Sequence, residues 1–181
     1  MHSMGSRWLW RSGLVVFVIV LATIVARVGE RLFDPPQARG DAEAELGHPL
    51  LSYEIWDGTP YTVFELDGRI HFDRLFADPT SIDWPPRPQW QWCGQWSYLP
   101  VTGNPASVAV SDVPIPNVLF GQVNDPGIVA LAVDLDGVTH TWSVSGPAFA
   151  VQLPEETSAP ATVDFLNADG QVVWTAEVQD G

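Results

Sequence analysis

From residue 51 to the C-terminus, apolar and polar residues alternate with a period of two, and Asp-Gly dipeptides interrupt the alternation at short intervals. Such alternation is typical of β-strands with one buried face. Asp-Gly is typical of the tight turns of β-hairpins, because glycine adopts a positive φ without strain. The dipeptides are Asp57-Gly58, Asp67-Gly68, Asp136-Gly137 and Asp169-Gly170. We therefore expect this part of the chain to be all-β.

Seven strands are predicted after residue 106, at 107–110, 117–123, 128–135, 138–144, 148–153, 162–166 and 171–178. Strands this short and closely spaced, with no helical period between them, indicate an antiparallel β-sandwich of immunoglobulin-like size. The strand at 128–135 is apolar on both faces, which is typical of a central strand. Parity predicts that the inward-facing residues are Val138, His140, Trp142, Val144, Phe149, Val151, Leu153, Val163, Phe165, Val172, Trp174, Ala176 and Val178.

The clearest hairpin in the first half of this region turns at the second Asp-Gly dipeptide. Phe64 and Leu66 share one face of the strand before the turn, and Ile70 and Phe72 share one face of the strand after it. His71 alternates with them and shares the other face with two charged residues, Arg69 and Asp73. The pattern therefore predicts that His71 faces solvent.

An apolar run at residues 12–26, between Arg11 and Arg27, predicts one transmembrane helix before the β region. Fifteen residues span only about 22 Å, but a helix over residues 8–28 reaches about 31 Å, enough for the hydrocarbon core. We therefore expect the lipid bilayer to be a partner through residues 8–28. The alternative is a signal peptide whose cleavage releases a secreted protein; Ile24 disfavours it, since small residues are preferred three positions before a cleavage site.

Charge is distributed unevenly along the chain. Residues 1–31 carry four Arg and one Glu, whereas residues 32–181 carry four Arg and 21 acidic residues, a formal charge of −17. This acidic excess excludes a basic protein that tracks phosphates, so no nucleic acid is expected as a partner. The N-terminal tail has no room for a folded domain. We expect a single-pass protein of the cell membrane whose C-terminal part is extracytoplasmic.

These features divide the chain into four parts. We expect an N-terminal tail and transmembrane anchor at 1–31, an acidic, proline-containing linker at 32–50, a hairpin and Trp/Pro-rich segment at 51–106, and the β-sandwich at 107–181. The linker is predicted to be an exposed spacer, with a short helix at 41–46 as the alternative. The sequence leaves open whether 51–106 forms a separate lobe or extends the sandwich.

The most unusual segment places aromatic residues at even-numbered positions between residues 84 and 98. In an extended strand these positions share one face, and flat indole rings can stack on sugars or hold a peptide. The alternative is a strand that faces the hydrophobic core, which would show the same alternation. The candidate ligand-binding residues are Trp84, Trp90, Trp92, Trp96 and Tyr98.

No catalytic, metal or cofactor site is predicted. The chain lacks the spacings of known hydrolase, nucleotide-binding and metal-binding motifs. We interpret Cys93, the only cysteine, as a small buried hydrophobe, and His140 as a histidine at the edge of the core. Asp125, Asp134 and Asp136 could bind Ca²⁺ weakly, but hairpin-turn chemistry explains them as well.

The stretch from residue 120 to residue 174 combines a Gly-x-Val-x-Asp-Pro-x-Ile opening, an Asp-Gly hairpin, an aromatic strand ending at proline and a second Asp-Gly turn. It resembles the C-terminal β-sandwich of uncharacterised membrane-anchored bacterial extracytoplasmic proteins. The resemblance implies a fold and a location, and it brings no catalytic residues. The matching residues are Gly121, Val123, Asp125, Pro126, Ile128, Asp136, Gly137, Pro154, Asp169 and Gly170.

We therefore expect a membrane-anchored, extracytoplasmic, non-catalytic β-sandwich protein that acts in binding, interaction or envelope structure. One alternative is a glycan- or cell-wall-binding module that uses the aromatic face, so that the partner is a cell-wall glycan or a protein. The other alternative is an enzyme of unknown class.

Overall fold

The computed structural model describes residues 35–83, 87–94, 97–111, 117–154 and 157–180. The chain divides into two units, one of residues 35–78 and 90–181 and a smaller one of residues 1–34 and 79–89. In the smaller unit the structure describes residues 79–83 and 87–89, all in strand conformation. The expected transmembrane segment lies outside the described residues, and among those described no helix is long and apolar enough to span a membrane.

The described chain is mostly β. Its elements are α1 (Arg39–Leu46), β1 (Ser52–Trp56), β2 (Thr59–Leu66), β3 (Arg69–Asp83), β4 (Arg87–Trp92), β5 (Ser97–Pro100), β6 (Ala106–Ser111), β7 (Val118–Val123), β8 (Ala130–Leu135), β9 (Val138–Ser143), β10 (Ala148–Gln152), β11 (Thr162–Leu166) and β12 (Val172–Asp180). The seven strands predicted after residue 106 are confirmed, with ends that differ by at most two residues.

Strands β1 to β5 form a five-stranded sheet in the order β1-β2-β3-β4, with β5 also paired to β3. Two Asp-Gly turns set the first two hairpins. Asp57 and Gly58, like Asp67 and Gly68, all have positive φ angles, which is the backbone of a two-residue turn that matches the twist of its strands. All described pairs in this sheet are antiparallel.

Strands β6 to β12 form a seven-stranded sheet in the order β10-β7-β6-β12-β11-β8-β9. Strand β12 joins its two halves, because its first part pairs antiparallel with β11 and its last three residues pair parallel with β6. The expectation of antiparallel pairing is confirmed for every other described pair in this sheet.

The largest hydrophobic cluster draws on both halves of the seven-stranded sheet. The predicted inward residues of β10 and β11 are buried there, among them Phe149, Val163 and Phe165. The prediction is wrong for Val138 and Val172, which are 57% and 54% exposed. Both are the first residues of their strands, where a turn leaves the side chain without neighbours on one side.

A second cluster lies between the two sheets. Tyr61, Val63, Ile70, Phe72 and Leu99 of the five-stranded sheet pack on the faces of β6, β7 and β10 that point away from the first cluster. Strands β6, β7 and β10 are therefore buried on both faces. The region 51–106, whose relation to the sandwich the sequence left open, forms a separate sheet that shares a core with the sheet of 106–180.

A third cluster covers the opposite face of the five-stranded sheet and corrects the interpretation of the predicted linker as an exposed spacer over its described part, residues 35–50. The alternative, a short helix, is what forms: α1 buries Ala42, and Leu50 is buried beside it over Phe64. Glu43 Oε1 accepts a hydrogen bond from the backbone N–H of Leu50, at 2.9 Å. This bond ties Leu50 to α1, and the N–H of Leu51 donates to the Val63 carbonyl of β2 at 2.7 Å.

The prediction that His71 faces solvent is wrong. His71 is only 9% exposed, and Asp73 on the same face is fully buried. Ile70 and Phe72, on the opposite face of β3, are also buried. Polar parity indicates a solvent face only where one side of a sheet is free, and here the rings of Phe64 and Tyr98 flank His71 while the connection after β4 covers Asp73.

Candidate functional site

The predicted aromatic surface is divided between the core and the exterior. Trp84 and Trp96 lie outside the described residues. Trp90 and Trp92 are half-buried and pack against the third cluster. Tyr98, on β5, is 46% exposed. The structure therefore places Trp90 and Trp92 together and Tyr98 further along the same face.

The rings on this face form a continuous stack across four strands. Trp92 stacks on Phe64 with 4.5 Å between ring centroids, and Phe64 stacks on His71 at 5.2 Å. His71 is tilted against Tyr98 at 6.3 Å, and the Arg69 guanidinium lies 4.5 Å from the Tyr98 centroid. One ring face of Trp92 and one of Tyr98 thus contact other side chains. That these residues bind a glycan stays a prediction.

Asp73 is the most buried ionisable residue on this face. Burial raises the pKa of its carboxyl, and hydrogen bonds from two backbone N–H groups, together with the Arg74 guanidinium, oppose that rise. The donors are the N–H groups of Gly94 at 3.0 Å and Arg74 at 2.7 Å. Each carboxylate oxygen accepts one of these bonds. Asp73 therefore fixes the connection after β4 to β3, which is a structural task.

Cys93 lies in that connection and is half-buried as a free thiol. Its N–H donates to the Arg74 carbonyl at 2.9 Å, and Arg74 Nη2 lies 3.6 Å from Sγ.

Two described histidines lie on strands of the two sheets. His140 is half-buried on β9, and its ring stacks on that of Trp142 with 5.9 Å between centroids. Burial lowers the pKa of His71, whose Nε2 lies 3.3 Å from the Leu66 carbonyl oxygen.

The acidic residues considered for calcium serve turns. Asp134 Oδ1 accepts the N–H of Gly137 at 2.9 Å, and Asp125 Oδ1 accepts the N–H of Gly127 at 2.8 Å. Over the residues that the structure describes, no group of three or more His, Cys, Asp and Glu side chains is arranged to hold a metal ion.

A recess that the sequence did not reveal lies where the β7–β8 and β9–β10 connections meet. Its volume is about 360 Å³. The lining surface is mixed, more apolar than polar, and its side chains include one amide and one carboxylate. It consists of Val123, Asn124, Asp125, Pro126, Ile128, Val129, Val144, Gly146 and Pro147. The available signal was the Gly-x-Val-x-Asp-Pro-x-Ile stretch, because five of its residues line the recess.

Backbone and side-chain hydrogen bonds hold the wall of the recess. Asn124 Nδ2 donates to the carbonyl oxygens of Thr102 at 2.9 Å and Asn104 at 2.8 Å. The N–H groups of Asn124 and Asp125 both donate to the Pro105 carbonyl. The wall is thus tied to the segment before β6, so the recess is set by the fold before any ligand arrives.

The chemistry of the recess suits binding. The described residues that line the recess include no Ser, Thr, Cys, His, Lys or Tyr. Among them, Asp125 has the one ionisable side chain. Val129 is 40% exposed at the rim. An apolar surface beside one carboxylate fits an apolar group next to a positive charge.

Comparisons of this chain with family models, with curated proteins and with solved structures find no match.

Proposed function

We propose that this protein is a single-pass, N-terminally anchored, extracytoplasmic binding protein without catalytic activity, and that its C-terminal strands form an immunoglobulin-like β-sandwich. The strand order supports the sandwich. β10-β7-β6 on one side and β12-β11-β8-β9 on the other enclose one hydrophobic cluster, and β12 connects them. Seven strands in two such layers are typical of immunoglobulin-like domains.

The observation that carries the binding role is the recess between the β7–β8 and β9–β10 connections. Loops at one end of an immunoglobulin-like sandwich commonly bind partners, because the sheets hold them rigidly while their sequences vary. The recess combines exposed apolar side chains, such as Val129, with the carboxylate of Asp125. We infer a protein partner that presents an apolar side chain beside a lysine or arginine.

The location rests on the apolar run at 12–26 and on the acidic charge of residues 32–181. Residues 32–181, with a formal charge of −17, are repelled by the negative surface potential of anionic lipids. A tether at 12–26 would keep this part of the chain near the membrane without letting it adsorb to the lipid surface. The resemblance of residues 120–174 to anchored extracytoplasmic proteins agrees with this location.

Photo-crosslinking on intact cells tests the binding role. A photo-reactive amino acid replaces Val129 at the rim or, as a matched control, Val173, which is 46% exposed outside the recess. We expect a discrete crosslinked product from position 129 that disappears when Asp125→Asn is added, and no such product from position 173. Equal labelling at both positions, or none, would contradict a binding role for the recess.

Protease treatment of intact cells tests the location separately. With an epitope at the C-terminus, external protease should remove the epitope while a cytosolic marker stays intact. An epitope that survives, or full-length protein recovered in the cytosolic fraction, would refute the extracytoplasmic location without bearing on the recess.

A further inference from the structure

The described sheets end in strands whose free edges differ in how they are protected. A free edge offers unpaired N–H and C=O groups to any other strand, and proteins usually block it with a charge, a proline, a bulge or a neighbouring element. The sequence of β1 includes Glu54, that of β4 begins with Arg87 and Pro88, and β5 ends at Pro100. Strand β10 lies against β1 and β2.

Strand β9 has none of these protections among the described residues. Its sequence is Val-Thr-His-Thr-Trp-Ser, with no charged residue and no proline, and its pairing with β8 runs over six residues without a register shift. It is the last strand of the seven-stranded sheet, with β8 as its described partner. Threonine, valine and tryptophan also favour strand conformation.

The turn before β9 decides which backbone groups are free. Asp136 and Gly137 have φ angles of 53° and 81°, so Leu135 and Val138 flank a two-residue turn and form a hydrogen-bonded pair. Every second pair after it is bonded in the same way, and the Val144 N–H that donates to the Val129 carbonyl agrees with this phase. The N–H and C=O groups of Thr139, Thr141 and Ser143 therefore point away from β8.

We propose that two copies of this chain pair through β9, antiparallel, about a twofold axis at Thr141. In this register Thr141 lies opposite its own counterpart, and Thr139 lies opposite Ser143 of the second copy. Each copy contributes three N–H and three C=O groups from these residues, which together form six hydrogen bonds. The two half-sheets β12-β11-β8-β9 become one continuous eight-stranded sheet.

A second copy fits this edge because the edge is neutral and self-complementary. The side chains of Thr139, Thr141 and Ser143 are exposed. Pairing places their hydroxyl groups opposite hydroxyl groups of the second copy, which is a favourable cross-strand combination. On the other face His140 comes opposite Trp142. The chain carries a net charge of −14, so most other surfaces would bring like charges together. A register shifted by one residue would put the core face of one copy beside the solvent face of the other.

Disulfide trapping in membranes from expressing cells tests the pairing. In full-length protein carrying Cys93→Ser, Thr141→Cys should form a disulfide-linked dimer under mild oxidation, because directly opposite hydrogen-bonded residues lie about 5.5 Å apart. Ser143→Cys alone should not, since the two copies of that residue would be about 13 Å apart along the strands. Coexpressed Thr139→Cys and Ser143→Cys chains should again give a dimer.

Proline at the same position gives a second readout. The Thr141 N–H points away from β8 and has no partner among the residues that the structure describes, and proline is tolerated on an edge strand where its nitrogen faces outward. Thr141→Pro in full-length protein in detergent should therefore halve the molar mass found by light scattering while the melting temperature is retained. The pairing is overturned by a wild-type monomer at every concentration, by equal trapping at positions 141 and 143, or by crosslinks to a different protein alone. None of these outcomes depends on the recess.

Discussion

Gly121, in the middle of β7, allows the backbone of β6 to come unusually close. It is paired with Val108 of β6 and Phe149 of β10. A Cβ atom at this position would lie 2.1 Å from the Ser107 carbonyl oxygen and 2.9 Å from Cζ of Phe149. The perturbation that tests this geometry is Gly121→Ala.

The size of the effect can be worked out from these two contacts. Carbon–oxygen contacts settle at about 3.3–3.6 Å, so the Ser107 carbonyl must retreat by more than about 1 Å. Overpacking of this kind costs about 1–3 kcal/mol, and each backbone hydrogen bond lost between β6 and β7 costs about 1 kcal/mol more. We expect Gly121→Ala to lower the free energy of unfolding by about 3 kcal/mol, or the melting temperature by about 6–12 °C for a domain of this size.

The assay is thermal and chemical unfolding followed by tryptophan fluorescence. Gly103→Ala is the matched control, because a Cβ at Gly103 meets no atom within 4 Å and the residue has no left-handed φ. The control should change the free energy of unfolding by less than about 0.5 kcal/mol. If the two variants unfold alike, the close approach of β6 to β7 is refuted.

Three further substitutions test the aromatic stack, the recess wall and the buried histidine. Trp92→Ala should lower the free energy of unfolding by about 2–3 kcal/mol, because Trp92 is half-buried on Phe64; unchanged stability in urea would contradict this structural role for Trp92. Asn124→Ala should cost about 1–2 kcal/mol through its two bonds to backbone carbonyls, and an unchanged midpoint of denaturation would contradict that role. Burial lowers the pKa of His71 in the folded state, so the unfolded chain binds this proton more tightly. The contribution of His71 is therefore complete above its unfolded pKa of about 6.5 and is lost as the pH falls below it. His71→Gln should flatten that part of the pH–stability profile, and an identical profile would refute the assignment.

The features that the sequence predicted well are local. An Asp-Gly turn needs only its own two residues to reverse the chain, and the three turns at residues 57, 67 and 136 have the positive φ angles that this requires. In the fourth, Asn167 Oδ1 accepts the N–H groups of Asp169 and Gln171. The alternation between such turns predicted the ends of the strands in 106–180 to within two residues.

The features that the sequence did not predict depend on distant segments. His71 and Asp73 are buried by later segments of the chain, because the Tyr98 ring packs against His71 and Gly94 donates a hydrogen bond to the Asp73 carboxylate. The recess joins two connections that come together only when β7, β8, β9 and β10 are in place. Periodicity within one strand carries no information about which segment will cover it.

The contrast between β8 and β6 shows why an apolar strand is an incomplete guide to layering. The sequence of 128–135 is apolar on both faces, yet Asp134 on the outer side is exposed and Ala130 is half-buried. Strand β6 carries two serines among its six residues, yet all six are buried, because the five-stranded sheet lies on its outer face. The side chains that β6, β7 and β10 turn toward that sheet are mostly small, including Ala109, Ala148 and Ala150. Small side chains let two sheets approach closely. The packing of the five-stranded sheet on β6, β7 and β10 is therefore indicated by the small size of these side chains and not by the hydrophobic period of the strands.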